Sequence, residues 1–170
     1  VAYQEAPYTN SIELVNELRA ATPDSLQYVI NDMFETITLY DNRIEDVTSK
    51  KLPNGKYEVK INFEVAKYKA NDDGKRVFKD KNGKTLTYKK KGEKYAIESY
   101  PLNDYVEIGI FGEQTIKDKK TEKELYLKKV KVNKIDNSVT IIVNENPIEV
   151  GVDPYNKLID TQSDDNRRKI

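Results

Sequence analysis

Histidine, cysteine and tryptophan are absent from the 170 residues, and methionine occurs once. Without imidazole or thiolate the chain lacks the usual ligands of zinc and the usual bases and nucleophiles of hydrolases. What remains is carboxylate, lysine and hydroxyl chemistry, and no spacing of these groups is specific for a reaction. The chain therefore reads as a non-catalytic domain that holds no cofactor. A disulfide scaffold is excluded, which is compatible with either side of a membrane. No apolar run approaches the roughly 20 residues of a membrane-crossing helix, so direct membrane insertion is not expected. Neither sign of charge prevails, with 29 Lys and Arg against 29 Asp and Glu. Nothing in the net charge draws the domain to nucleic acid or anionic lipid. The start, Val1-Ala2-Tyr3-Gln4, carries no basic segment followed by an apolar one and no initiator methionine, and Val1 reads as a cut from a longer polypeptide.

What is present points to a thin core. Apolar residues make up 37% of the chain and charged residues 34%, which suits a two-layer sheet better than a thick globule. The lysine runs Lys89–Lys91 and Lys117–Lys120 read as solvated loops or edges, the second being interleaved with Asp118, Glu122 and Glu124.

Helical periodicity is confined to residues 10–37. Asn10-Ser11-Ile12-Glu13 has the form of a capping box, and Ile12, Val15 and Leu18 recur at helical spacing. A second start is expected at Thr22 as N-cap, with Pro23 at the first helical position and Asp24 on the positive end of the dipole. Leu26, Val29, Ile30, Met33, Phe34 and Ile37 then form one continuous apolar stripe. After Thr36 the period changes to two. Tyr57, Val59, Ile61, Phe63 and Val65 alternate with Glu58, Lys60, Asn62 and Glu64, the pattern of an antiparallel strand with one wet face. Pro53-Asn54-Gly55 supplies the preceding turn. Further short strands are expected near 76–79, 84–89, 94–99, 104–111, 125–135, 139–143 and 147–152, with a bulge near Lys128-Lys129 to reconcile Leu125 and Leu127 with Val130 and Val132. The segment 161–169 is polar enough to be frayed. The fold expected is mainly β: an antiparallel β-sandwich over 38–160, preceded by two short α-helices within 1–37 and followed by a polar tail, 161–170.

Candidate sites have bland counterparts. Asp72-Asp73-Gly74 and Asp80-Lys81-Asn82-Gly83 resemble pieces of calcium loops but lack the remaining ligands, and serve equally as Asx turns. Twelve tyrosines provide either a sugar- or peptide-binding platform or half-buried strand surface. Glu107 with Glu113, and Asp164 with Asp165, are paired carboxylates whose separation the sequence leaves open. Gly109-Ile110-Phe111-Gly112 lacks the spacing of a phosphate loop, and its glycines suit a strand bend.

Five blocks carry a family resemblance: Thr22-Pro23-Asp24-Ser25-Leu26-Gln27-Tyr28, Phe34-Glu35-Thr36-Ile37-Thr38-Leu39-Tyr40-Asp41-Asn42-Arg43, Leu52-Pro53-Asn54-Gly55-Lys56-Tyr57, the run from Pro101 to Gly112, and Gly151-Val152-Asp153-Pro154-Tyr155-Asn156-Lys157-Leu158-Ile159-Asp160. In this order they resemble the C-terminal end of bacterial membrane-tethered zinc aminopeptidases of the aminopeptidase N type, in which a peptidase comes after a permease-like transmembrane region. Residues 71–96 fall outside the blocks and read as an insertion. That family binds zinc with H-E-x-x-H and a downstream Glu. A chain without histidine carries none of that site, so no catalytic residue transfers. The resemblance implies the last helices of a zinc-bearing catalytic domain followed by its β-sandwich neighbour. Zinc then belongs to the parent, which is membrane-associated on an unspecified side, and the partner of this chain is the catalytic domain of the same polypeptide. Leu26, Val29, Ile30, Met33 and Phe34 are the expected interdomain contact. The alternative is an independent carbohydrate- or peptide-binding sandwich.

Overall fold

The computed structural model describes residues 8–79, 85–87 and 102–170. They divide into two compact units, the first from 8–38 with 69–79 and 85–87, the second from 39–68 with 102–170.

The second unit is an antiparallel β-sandwich, as the alternating runs predict. One sheet contains β1 (Ile37–Lys51), β2 (Tyr57–Ala70) and β7 (Asp136–Val143), with β1 and β7 both pairing β2. The facing sheet has the order β6-β5-β8-β9, from β5 (Asp104–Ile116), β6 (Lys119–Val132), β8 (Glu149–Val152) and β9 (Arg167–Lys169). Val59, Ile61, Phe63 and Val65 point inward from β2 and meet Val106, Ile108 and Ile110 of β5, Val132 of β6, and Val150 and Val152 of β8. Every second residue of these strands leaves water, and this burial is the main force joining the sheets. The Pro53-Asn54-Gly55 turn forms as expected: Gly55 adopts a φ of +83° and the Asn54 side chain accepts from Lys56 N at 3.1 Å.

Three features differ from the sequence reading. β1 is not among the expected strands, and its inward positions are Thr38, Tyr40, Asn42 and Ile44, all buried. The bulge falls at Leu125, because Ile110 pairs with Tyr126 while Phe111 pairs with Glu124. With that residue extra, Tyr126, Val130 and Val132 share one parity and pack on the core, so no second bulge at Lys128-Lys129 is needed. The segment 161–169 is not frayed: it forms a 3₁₀ turn at Ser163–Asp165 and then β9, whose residues pair with Glu149, Val150 and Gly151.

In the first unit, α1 (Ser11–Ala21) starts on the expected capping box: Asn10 Oδ1 accepts from Ile12 N and Glu13 N at 3.0 Å each, and Glu13 Oε2 accepts from Asn10 N at 3.1 Å. Thr22 ends α1 rather than starting the next helix, its hydroxyl donating to Leu18 O at 2.6 Å. The chain then passes through a 3₁₀ turn (Asp24–Leu26), α2 (Gln27–Ile30) and a π turn (Asn31–Glu35). Lys69 and Ala70, at the end of β2, pair with β3 (Arg76–Lys79), which in turn pairs with β4 (Thr85–Thr87). The expected strand at 94–99 lies outside the described residues.

Candidate functional site

The helical segment of the first unit is the surface from which the candidate contact residues project. Arg19 ties α1 to the turns after it: its guanidinium donates to Gln27 Oε1 at 3.4 Å, to Asn31 Oδ1 at 2.7 Å and to Glu35, while Gln27 Nε2 donates back to Arg19 O and Thr22 O. These bonds hold polar faces together, and no residue of α1 is buried. Of the expected contact residues only Ile30 is buried, and Val29 is half-buried. Leu26, Phe34 and Ile37 are exposed, and Met33 is 68% exposed. On α1, Ile12 is 70% exposed and Leu14 is exposed as well.

The stripe is therefore not one helical face. A residue in a 3₁₀ turn advances about 120° and one in a π turn about 80°, against 100° in an α-helix, so positions chosen at α spacing are rotated apart. Ile30 turns inward while Met33 and Phe34, inside the π turn, turn to solvent.

The outer face of the β5-containing sheet carries a second construction, built around the block Gly151–Asp160. Phe111, fully buried, lies outside the main core cluster. The Arg167 guanidinium stacks on its ring at 4.3 Å from the centroid, and Tyr155 meets it edge-on with centroids 6.1 Å apart. A Cβ on Gly109 would stand 2.7 Å from this ring, and one on Gly151 would stand 2.8 Å from Pro154 Cβ. The two glycines are thus required by close approach. Arg167 also pairs with Glu149 at 2.8 Å and with Glu122. Asp153, at a φ of +44°, accepts from Lys157 N at 3.1 Å and Leu158 N at 2.9 Å, and so closes the loop that delivers Tyr155. Burial pushes the Asp153 carboxyl above its ordinary value, against the pull of these two N–H groups. Lys157 Nζ lies 2.7 Å from both Glu107 oxygens, and this hydrogen bond raises its pKa. Tyr105 and Tyr155 are 51% and 47% exposed, whereas Tyr40 and Tyr68 are buried. The tyrosines thus divide between core and surface.

Inside the sandwich Lys67 and Asp104 form a buried ion pair at 3.0 Å, to which Tyr40 OH donates at 3.1 Å. This triad had no sequence signature beyond a lysine on the apolar parity of β2.

The remaining candidates are not assembled into a site. Glu107 and Glu113 lie six residues apart on one strand, roughly 20 Å at 3.4 Å per residue. Each carboxylate is committed to a lysine, Lys157 and Lys120 respectively. The Asp72-Asp73-Gly74 turn is an Asx turn, with Asn71 Oδ1 accepting from Lys75 N at 2.8 Å and Gly74 at a φ of +71°. The Asp80–Gly83 turn and Lys89–Lys91 lie outside the described residues. Among the described residues no group of three or more Asp or Glu is placed to hold a metal ion, and no histidine or cysteine occurs anywhere in the sequence to supply the usual zinc ligands. No helix among the described residues is long and apolar enough to cross a membrane. No protein-family model, curated protein sequence or solved structure matches the chain.

Proposed function

We propose that the chain is the non-catalytic C-terminal β-sandwich portion of a membrane-associated zinc metallo-aminopeptidase, and that its helical segment packs against and supports the catalytic domain of the same polypeptide. The observation that carries the reading is the apolar surface of that segment, where Ile12, Leu14, Leu26, Met33, Phe34 and Ile37 stand exposed on a framework whose internal bonds are polar. Large apolar side chains left in water along one short segment are what a partner surface would cover. The resemblance carried by the five sequence blocks supports the catalytic domain as that partner. The zinc and the activated water belong to that domain, and this chain contributes shape and support only.

The test is to express the zinc domain separately, mix it with this chain and follow sedimentation. Association at micromolar concentration is expected; two independent species at high micromolar concentration would defeat the proposal. A companion measurement concerns metal. Titration calorimetry of the chain alone should show no zinc binding at submicromolar concentration, since carboxylates compete poorly for zinc against water. The second reading, a carbohydrate- or peptide-binding module, is favoured by Tyr105 and Tyr155, which offer exposed rings on the outer face of the β5-containing sheet. Saturable glycan or peptide binding that is lost in Tyr155→Ala, with no zinc-domain association, would favour it.

A further inference from the structure

The seam where residues 159–168 run alongside β1 contains an unusual polar pair. Tyr40 N donates to Ile159 O at 2.8 Å, Thr161 N donates to Tyr40 O at 3.0 Å, and Tyr40 and Asp160 form an isolated parallel bridge. Further along β1, Asn42 N donates to Asp160 Oδ2 at 2.9 Å, and beyond that Arg168 Nη1 donates to Glu45 O at 2.6 Å. Chain segments 40–45 and 160–168 are thereby stitched together.

Two asparagines fall within this stretch. Asn42 occupies an inward position of β1, between Tyr40 and Ile44, and is 0% exposed. Asn166 is 1% exposed and extends the β8–β9 ladder, its carbonyl accepting from Val152 N at 2.9 Å. Because Gly151 pairs with Arg167 and Val150 with Arg168, that register sets Asn166 opposite Val152, on the face that Val150 and Val152 turn to the core. Both asparagines thus point inward from the edges of facing sheets. In each, Oδ1 and Nδ2 are buried and have no hydrogen-bond partner among the protein groups. The same holds for Oδ1 of Asp165, next in the chain to Asn166.

We infer that Asn42 and Asn166 form a binding site for ordered water, sealed into the edge of the sandwich by the C-terminal segment. The chemistry selects water over a cation. Each amide presents two N–H donors as well as a carbonyl acceptor, and a cation would satisfy the oxygens while repelling the donors. A water molecule donates and accepts, and the two carbonyl oxygens and two N–H₂ groups left unpaired on the asparagines can supply the two to four polar partners a buried water takes. Buried polar groups are almost always paired, with protein or with such water. Asp165, next in the chain to Asn166 and pushed up by burial and by Asp41 and Asp160, adds its unpaired Oδ1 to the two carbonyl oxygens of the amides. The inference is independent of the proposed function.

Water-selective NOE and ROE spectroscopy on the ¹⁵N-labelled chain decides it. The side-chain N–H₂ groups of Asn42 and Asn166 should both show cross-peaks to a water that resides longer than the molecule tumbles. In Asn42→Leu the Asn166 cross-peak should weaken severalfold, and the measurement on the unsubstituted chain stands even if that variant fails to fold. A direct contact between the two amides without a water peak overturns the inference. So does the absence of long-lived water at either side chain, or a shift of both amide signals on adding calcium or magnesium.

Discussion

Phe63 is 2% exposed at the centre of the core, and truncating it leaves a void that neighbouring β-branched side chains cannot collapse to fill. Phe63→Ala should cost about 3–5 kcal/mol, and Asn62→Ala, one step along the strand and half-buried on its other face, under about 1 kcal/mol. Urea melts of the two variants check the alternation directly, since equal losses would mean that the wrong face is inward. Gly151 responds to the opposite defect, lack of room. A methyl group at that position would need Pro154 to move, and displacing a packed proline and the Arg167 stem behind it costs about 1–3 kcal/mol. Asp165 is a group whose destabilisation depends on pH. Burial, then Asp41 and Asp160, raise its folded pKa above the unfolded carboxylate value, so the folded state holds the proton more tightly than the unfolded one. The stability it allows is fully present below the unfolded pKa and is lost as pH rises through the folded pKa, where the buried carboxylate becomes destabilising. Asp165→Asn should therefore raise Tm relative to the parent chain at pH 7, and this advantage should vanish towards pH 4. Calorimetric scans at the two pH values test the sign.

At the scale of elements, the β5–β6 hairpin turns through Lys117 and Asp118, which adopt φ values of +48° and +61°. Two successive left-handed residues make the tight primed turn that suits strand twist, but neither lysine nor aspartate favours it as Asn-Gly does. The double change Lys117→Asn with Asp118→Gly should stabilise the chain by about 1 kcal/mol, read as a higher urea midpoint with an unchanged slope; a loss would show that the Glu113–Lys120 pair beside the turn depends on its present geometry. The elements that aliphatic alternation marks were legible in the sequence: β2, β5, β7 and β8 all lie where Val, Ile and Phe recur at period two. β1 was hidden because its inward set begins Thr38, Tyr40, Asn42, polar side chains that a hydropathy pattern assigns to water. β9 was hidden because Arg-Arg-Lys has no apolar face, and only the finished sheet supplies its backbone partners and the Phe111 ring beneath Arg167. The helical stripe was half legible. Its residue types predict an apolar surface, but the Arg19–Gln27–Asn31 bonds and the π turn, which set the direction of each side chain, depend on contacts far from each local window. The triad of Lys67, Asp104 and Tyr40 spans 64 residues of chain and leaves no local signal.

For the whole molecule, the question is whether the apolar surface of the helical segment is functional or merely tolerated. Met33 and Phe34 project from the π turn and, being exposed, contribute little to folding of the chain by itself. If the surface meets the zinc domain, these two side chains sit where an interface draws its affinity, and an acidic group there must be desolvated without a partner. Met33→Asp with Phe34→Asp should leave the urea midpoint of the isolated chain nearly unchanged while weakening association with the separately expressed zinc domain at least about tenfold, equivalent to about 1.4 kcal/mol. Arg19→Ala makes the contrasting control. It removes the donor that holds α1 to Gln27 and Asn31, so it should loosen the helical segment in hydrogen exchange and weaken association only through that loosening. Full association of the acidic variant, beside a folded and monomeric chain, would detach the helical surface from any supporting role and leave the exposed tyrosines of the sandwich as the surface to pursue.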